Sequence, residues 1–180
     1  MYRMRCAATA LRSVSVLVVA LAGLFVVSAN ASATELGTFR DWAAHEIAVD
    51  GQTICFMDSR PTSLDPKGGD RAGVTVRVTV TNRPARDIFA ALLFETGYQL
   101  DEKVPAEISI DGNVYLMGTD ATGYFYLSEE KAERHLLEAM KGGAKLQAKG
   151  TMLDGTPVTD AYSLYGFTAA LKAIDTACPR

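Results

Sequence analysis

The 180-residue chain predicts a mainly β fold, an antiparallel sandwich or partly closed barrel of about seven or eight strands, with one internal helix and a short C-terminal helix. Three observations carry this reading. Asp-Gly pairs at Asp50-Gly51, Asp111-Gly112 and Asp154-Gly155 each separate runs rich in β-branched or aromatic residues, and Asp-Gly suits the positive φ values of a type I′ hairpin turn. In VTVRVTVTN, Val74, Val76, Val78 and Val80 share one face while Thr75, Arg77, Thr79 and Thr81 share the other, the two-residue period of a half-buried strand. Near the end, Phe167, Ala170, Leu171, Ile174 and Cys178 recur at offsets 0, 3, 4, 7 and 11, one face of a helix, with Lys172 and Asp175 turned away.

The elements follow in order. Arg3, Arg5 and Arg12, the uncharged apolar run from Val14 to Val27 and the small residues Ala31-Ser32-Ala33 form the pattern of a secretory signal peptide over residues 1–33. A transmembrane anchor is the alternative, but about 14 apolar residues make a helix of only about 21 Å, against a hydrocarbon core of about 30 Å. No cysteine closely follows the apolar run to accept a lipid. The processed chain, residues 34–180, is therefore expected to be one domain with no transmembrane segment, long enough to enclose a single core.

The first hairpin is expected to join FRDWAAHEIAV to TICFMDS, placing Trp42 and Cys55 on neighbouring strands. SRPTSLDPKGGDRAG, with its prolines and glycines, reads as a long surface loop from Ser59 to Gly73. The alternating strand and the turn NRPARD follow. IFAALLFETGYQL fits a strand or one or two helical turns, and its length and the following Gly97 favour a buried strand. PAEISIDGNVYLMG forms the second hairpin and GYFYL a short aromatic strand. Ser128 is placed to cap a helix over about residues 129–141, where Glu129 and Glu130 favour the positive end and Ala132, Leu136 and Met140 form the apolar stripe. AKLQAKGTMLDGTPVTDAYSL is the third hairpin.

Charge and cysteine content narrow the function classes. Removing Arg3, Arg5 and Arg12 takes Lys+Arg from 18 to 15 while Asp+Glu stays at 21, so the net charge moves from −3 to −6. Such a domain has no electrostatic footprint for nucleic acid or anionic lipid. Cys6 is discarded with the leader, leaving Cys55 and Cys178 in a chain bound for an oxidising space, where two cysteines usually pair. A bridge across 123 positions stabilises by up to about 5 kcal/mol in the chain-entropy model. Two buried free thiols are the alternative. A metal site is disfavoured, since about four ligands are needed and no neighbouring His or Cys supplies them.

No pattern specifies a reaction. H-E-x-x-H, G-x-S-x-G and C-x-x-C are absent, and His45 and His135 lie in different elements, with His45 and Glu46 on opposite strand faces. Asp50, Asp111 and Asp154 are explained by turns, Glu129 and Glu130 by the helix start. Catalytic residues, cofactors and metals are accordingly expected to be none. Arg83, Arg86 and Asp87, in the turn at the end of a regular strand, are the candidate partner-binding residues, because a rigid scaffold presents loop side chains; a proline-set turn with solvated charges is the plainer alternative. GYFYL, Tyr162 and Tyr165 offer an aromatic surface, or, for most of these rings, core.

These residues also carry a resemblance. DW near the start of the processed chain, ICF after the first hairpin, TNRP after the alternating strand, and the ending TDAYSLYGFTAALKAIDTAC, above all YSL, then GF-x-AAL, then a terminal Cys, are together similar to the invasion-associated locus B family of bacterial envelope proteins. The resemblance spans most of residues 39–178. It implies an exported protein of a Gram-negative, mainly alphaproteobacterial, cell, with founding relatives associated with entry into host cells, and it supplies no catalytic residues. Some members carry further cysteines in the first hairpin region, where this chain has AAHEIAV, so Cys55 and Cys178 remain the one candidate bridge. The expected function is non-enzymatic: a periplasmic or cell-surface protein that binds a protein or envelope component, with a periplasmic enzyme or small-ligand carrier as the alternative.

Overall fold

The computed structural model describes residues 33–65, 77–127 and 129–180. The leader up to Ser32, Cys6, the second half of the long loop, the first three residues of the alternating strand and the capping Ser128 lie outside the described residues.

Eleven antiparallel strands are described: β1 (Thr34–Phe39), β2 (Trp42–Val49), β3 (Gln52–Ser59), β4 (Ser63–Asp65), β5 (Arg77–Arg83), β6 (Ile88–Glu95), β7 (Ala106–Ile110), β8 (Asn113–Thr119), β9 (Tyr124–Tyr126), β10 (Lys145–Thr151) and β11 (Pro157–Ser163). Two helices, α1 (Glu130–Gly142) and α2 (Phe167–Ala177), complete the fold. The strands form one open sheet in the order β1-β2-β3-β5-β6-β9-β8-β7-β10-β11-β4. The short β9 joins two five-stranded halves, pairing Phe125 with Phe94 of β6 on one side and with Thr119 of β8 on the other. The halves share one core, in which the Phe94 ring meets Phe125 at 6.1 Å and Tyr162 of β11 at 6.2 Å.

Two Asp-Gly tips have the expected geometry. Asp50 and Gly51 (φ 51° and 74°) and Asp111 and Gly112 (47° and 95°) both take positive φ at both positions, as a type I′ turn requires. The third pair is also a hairpin tip, but only Gly155 has positive φ (87°). The Gly155 amide donates to the Met152 carbonyl and Met152 to Thr156, so this connection is one of the longer hairpin loops.

The first hairpin needs correcting at its start. Phe39 belongs to a preceding strand, β1, which pairs with β2 across a tip at Arg40-Asp41. Arg40 has φ 56° there, and the tip is held from outside: the Asp41 amide donates to the Tyr165 carbonyl at 3.3 Å. No turn dipeptide marks this tip because a contact with the β11–α2 connection fixes it. The long loop is likewise not wholly a loop. Ser63–Asp65 form β4 on the edge of β11, anchored by the Thr62 amide and hydroxyl, which both donate to the Ala161 carbonyl.

Both helices lie close to where the apolar stripes put them. α1 buries Leu136, Leu137 and Met140; the residue at its N-cap is Glu129, with no capping side-chain bond. α2 buries Phe167, Ala170, Leu171 and Ile174, and Cys178 follows as its buried C-cap. Trp42 meets Phe167 edge-on at 4.9 Å and donates its indole N–H to the Ser163 carbonyl, joining β2 to the end of β11 and to α2.

α2 starts at Gly166, whose φ of 98° favours glycine, and a Cβ there would collide with the Phe39 carbonyl oxygen. Gly166→Ala is therefore expected to lower stability by about 3 kcal/mol in urea titration, because backbone atoms must separate as well as a strained φ be held. Gly155→Ala, in open space with φ 87°, should cost only about 1 kcal/mol.

Candidate functional site

Arg83 ends β5, Pro84–Arg86 form one 3-10 turn, and Asp87 takes a left-handed conformation (φ 53°) that returns the chain into β6. All three expected partner-binding residues, Arg83, Arg86 and Asp87, are exposed. The turn is nonetheless rigid, and the reason is Asn82. In the alternation of β5, position 82 follows Val78 and Val80 on the inner face, so Asn82 is fully buried among apolar side chains. A buried amide must find partners. Its Nδ2 donates to Asp175 Oδ1 at 2.9 Å and lies 3.5 Å from the Cys178 carbonyl oxygen, and its Oδ1 accepts the Ala90 amide at 2.7 Å. One side chain thus ties β5, β6 and the end of α2 together beneath the turn.

The irregular start of β6 is satisfied in the same way. Ala90 has φ 58°, the register with β5 shifts between Thr81 and Arg83, and the Leu92 amide donates to Glu133 Oε1 of α1 at 2.7 Å. Beside this segment a groove of about 370 Å3 runs between β6, α1 and the chain end, lined by Phe89, Leu137, Leu171 and Cys178 with Arg134, Lys141 and Arg180 as its cations. The Arg180 guanidinium stands 5.2 Å from the Phe89 ring centroid, a cation–π contact. Arg134 and Lys141 are paired along the helix with Glu130 and Glu138.

Arg83 faces elsewhere. It borders a shallow depression of about 310 Å3 on the outer face of the sheet, with Ile47, Ile54, Phe56, Thr79, Thr81 and Leu93. Arg86 and Asp87 line neither cavity. The turn and the groove therefore adjoin along the chain without converging on one centre. The groove's lining was not visible in sequence, since Phe89, Arg134 and Arg180 come from three elements. Asn82 did leave a signal: it is the polar residue at the next inward position of an otherwise Val-lined strand face.

Cys55 of β3 and Cys178 are joined by a disulfide with Cα atoms 5.9 Å apart, within the ordinary range for such a bond. The bond fastens the end of α2 to the middle of the first half-sheet.

The histidines are apart. His45 stacks on Phe56 at 5.0 Å and pairs with Asp58 at 3.3 Å on the outer face, whereas His135 is exposed on α1. Asp120 and Asp154, both in turns, have displaced carboxyl pKa values. Slight desolvation raises that of Asp120, but hydrogen bonds from the Thr122 hydroxyl and the Tyr124, Thr122 and Gly123 amides outweigh it and hold the carboxyl below its usual range. The Thr156 amide and hydroxyl lower that of Asp154. Each shift belongs to the folding of a turn. Among the described residues, no three His, Cys, Asp or Glu side chains converge as metal ligands, and no helix is long and apolar enough to cross a membrane. The aromatic run divides: Phe125 and Tyr162 are core, while Tyr126 and Tyr165 are exposed.

The fold has a counterpart among solved structures. The crystal structure of invasion associated protein B from Bartonella henselae superimposes with a TM-score of 0.55 at 17% identity, covering 78% of this chain and 95% of that one. At that identity the likeness establishes the fold alone. No curated protein sequence matches the chain. The family model described as Invasion associated locus B (IalB) protein matches residues 46–175, from the middle of β2 almost to the end of α2, and the chain belongs to that family.

Proposed function

We propose that the protein is exported and acts in the periplasm or at the cell surface by binding another protein or an envelope component, without catalysis, through the face that carries the β5–β6 turn. One observation carries this: Arg83, Arg86 and Asp87 are presented to solvent on a turn whose base is immobilised by the buried Asn82. Side chains on a rigid support bind with little ordering cost. Export is supported by the leader pattern and by the Cys55–Cys178 bond, since disulfides persist in oxidising compartments. The family's description adds an association with invasion, which makes a host-cell protein one class of partner.

The test is capture of partners from envelope extract and, separately, from host-cell membranes, by the protein purified as the cell makes it. Arg83→Glu with Arg86→Glu is expected to weaken capture at least about tenfold, as reversal of two interfacial charges does, while His45→Ala and His135→Ala leave it unchanged. Undiminished capture by the charge-reversed variant overturns the reading, and so does loss of activity in either histidine variant. A small-ligand carrier is the second reading, favoured by the groove beside Phe89, where Arg134, Lys141 and Arg180 gather over an apolar floor.

A further inference from the structure

The two ends of the sheet are protected as edge strands usually are. β1 carries Glu35 and a register shift at Gly37, and β4 is only three residues long and ends in Asp65. A third edge lies inside the sheet. β8 is paired with β7 from Asn113 to Met117, but on its other side β9 covers only Gly118 and Thr119. Over Asn113–Met117 no described strand pairs with that second side.

The residues along this edge carry neither charge nor proline. NVYLMGT contains no Asp, Glu, Lys, Arg or His, whereas each other described strand of five or more residues contains at least one. The outward side chains are Val114 and Leu116, 59% and 62% exposed, followed by Gly118. Tyr126 of β9, itself 43% exposed, lies over Gly118, where a Cβ would stand 2.8 Å from the ring. Val114, Leu116 and Tyr126 thus make an uncharged apolar stripe beside an unpaired backbone, the features of a template for strand addition.

We propose that this edge pairs with β8 of a second copy of the chain, antiparallel about a two-fold axis near Tyr115. That arrangement sets Val114 of each copy beside Leu116 of the other, apolar against apolar at both places, and such self-complementarity is what a two-fold interface requires. Charge selects the occupant. The protein is acidic, with net charge −3, so two copies meet best where neither carries charge, and a strongly charged foreign strand finds no counter-charge here. An exposed carboxylate, Glu107 of β7, stands opposite Leu116. In the paired sheet the two copies of Glu107 stand three strand spacings apart, about 14 Å, beyond the screening length of about 8 Å at physiological salt.

A five-residue ladder with three apolar side chains from each copy is smaller than a standard protein interface, so the dimer is expected to dissociate in the range of about 10 to 100 μM. Sedimentation equilibrium of the protein purified as the cell makes it, across that range, measures this. Leu116→Lys and Val114→Lys should each weaken association at least about tenfold, since either sets a lysine against an apolar side chain of the other copy and the two lysines diagonally across from one another. Both positions are exposed, so the urea midpoint should not move. Leu153→Lys, equally exposed but on the β10–β11 tip, should leave association intact. A chain that stays monomeric up to several hundred micromolar overturns the proposal, which includes the case in which only a foreign strand binds β8. Association that survives both β8 substitutions overturns it too.

Discussion

Reduction of the Cys55–Cys178 bond is expected to lower the unfolding free energy by about 3 to 5 kcal/mol, the largest effect of any single covalent change to this chain. The bond closes a loop of 123 residues, for which the chain-entropy relation gives about 5 kcal/mol, and the lower figure allows for structure remaining in the reduced unfolded chain. Urea titration with and without reductant measures the difference, and Cys55→Ala with Cys178→Ala should reproduce it. The loss has a location. α2 keeps its N-terminal anchors, Phe167 against Trp42 and the buried Ala170 and Leu171, so the helix should not leave the sheet as a whole. Its last turn is left with Ile174, the partly buried Ala177 and the contacts of Asn82 with Asp175 and the Cys178 carbonyl, and an isolated helix of this length is marginal in water. Amide exchange should therefore quicken from Ile174 to Cys178 on reduction and stay slow at Ala170, whose amide donates to Gly166. An unchanged urea midpoint, or uniform acceleration along α2, contradicts this account.

Asn82→Leu is expected to cost about 3 kcal/mol although the substitution keeps the branching of the side chain and adds apolar surface to a buried site. The Ala90 amide loses its partner beside a buried site, where an orphaned polar group costs about 1 to 3 kcal/mol, and the larger leucine crowds the core, while the exposed Asp175 carboxylate turns to water. Asn82→Asp separates the effect of shape from that of charge. It buries a carboxylate where Nδ2 now meets Asp175 at 2.9 Å, and burial and the neighbouring charge both favour its protonated form. A group whose folded-state pKa is raised loses its stabilising contribution as pH rises. The Asn82→Asp variant should accordingly grow more stable as pH falls from about 7 towards about 4, relative to Asn82→Leu measured at the same pH values. Parallel pH dependence in the two variants would show that Asn82 and Asp175 are not coupled. If Arg83 and Arg86 act through the rigidity that Asn82 supplies, Asn82→Leu should also weaken partner capture at temperatures where the chain remains folded.

What could be read in advance follows a physical division. Elements specified by neighbours in sequence were legible: the alternation around Val78 and Val80, the stripe from Phe167 to Cys178, and the Asp-Gly tips at residues 50 and 111. Elements specified by distant partners were not. The tip at Arg40-Asp41 depends on Tyr165, and β4 exists because the Ala161 carbonyl is available to Thr62. β1 and β4, which carry no turn dipeptide of their own, account for two of the strands described beyond the expected seven or eight. At the candidate site the turn could be read from NRPARD, while its support could not. The link from Asn82 to Asp175 spans 93 positions, and nothing local to either residue announces the other.

The contacts that close the fold run between the first third of the chain and its last quarter: Trp42 to Ser163, Cys55 to Cys178, β4 to β11. A polypeptide that enters a membrane pore amino end first delivers the early members of these pairs long before the late ones. If the chain is exported in this way, as proposed above, then until residues beyond about 160 arrive on the far side Cys55 lacks the partner it has in the fold and Trp42 lacks the Phe167 ring, which leaves the advancing segment pliable enough to be threaded. On that proposal, topology defers locking to the compartment in which the sulfur–sulfur bond can form, and the same long-range wiring is expected to make the final assembly step slow compared with a fold built from neighbouring contacts.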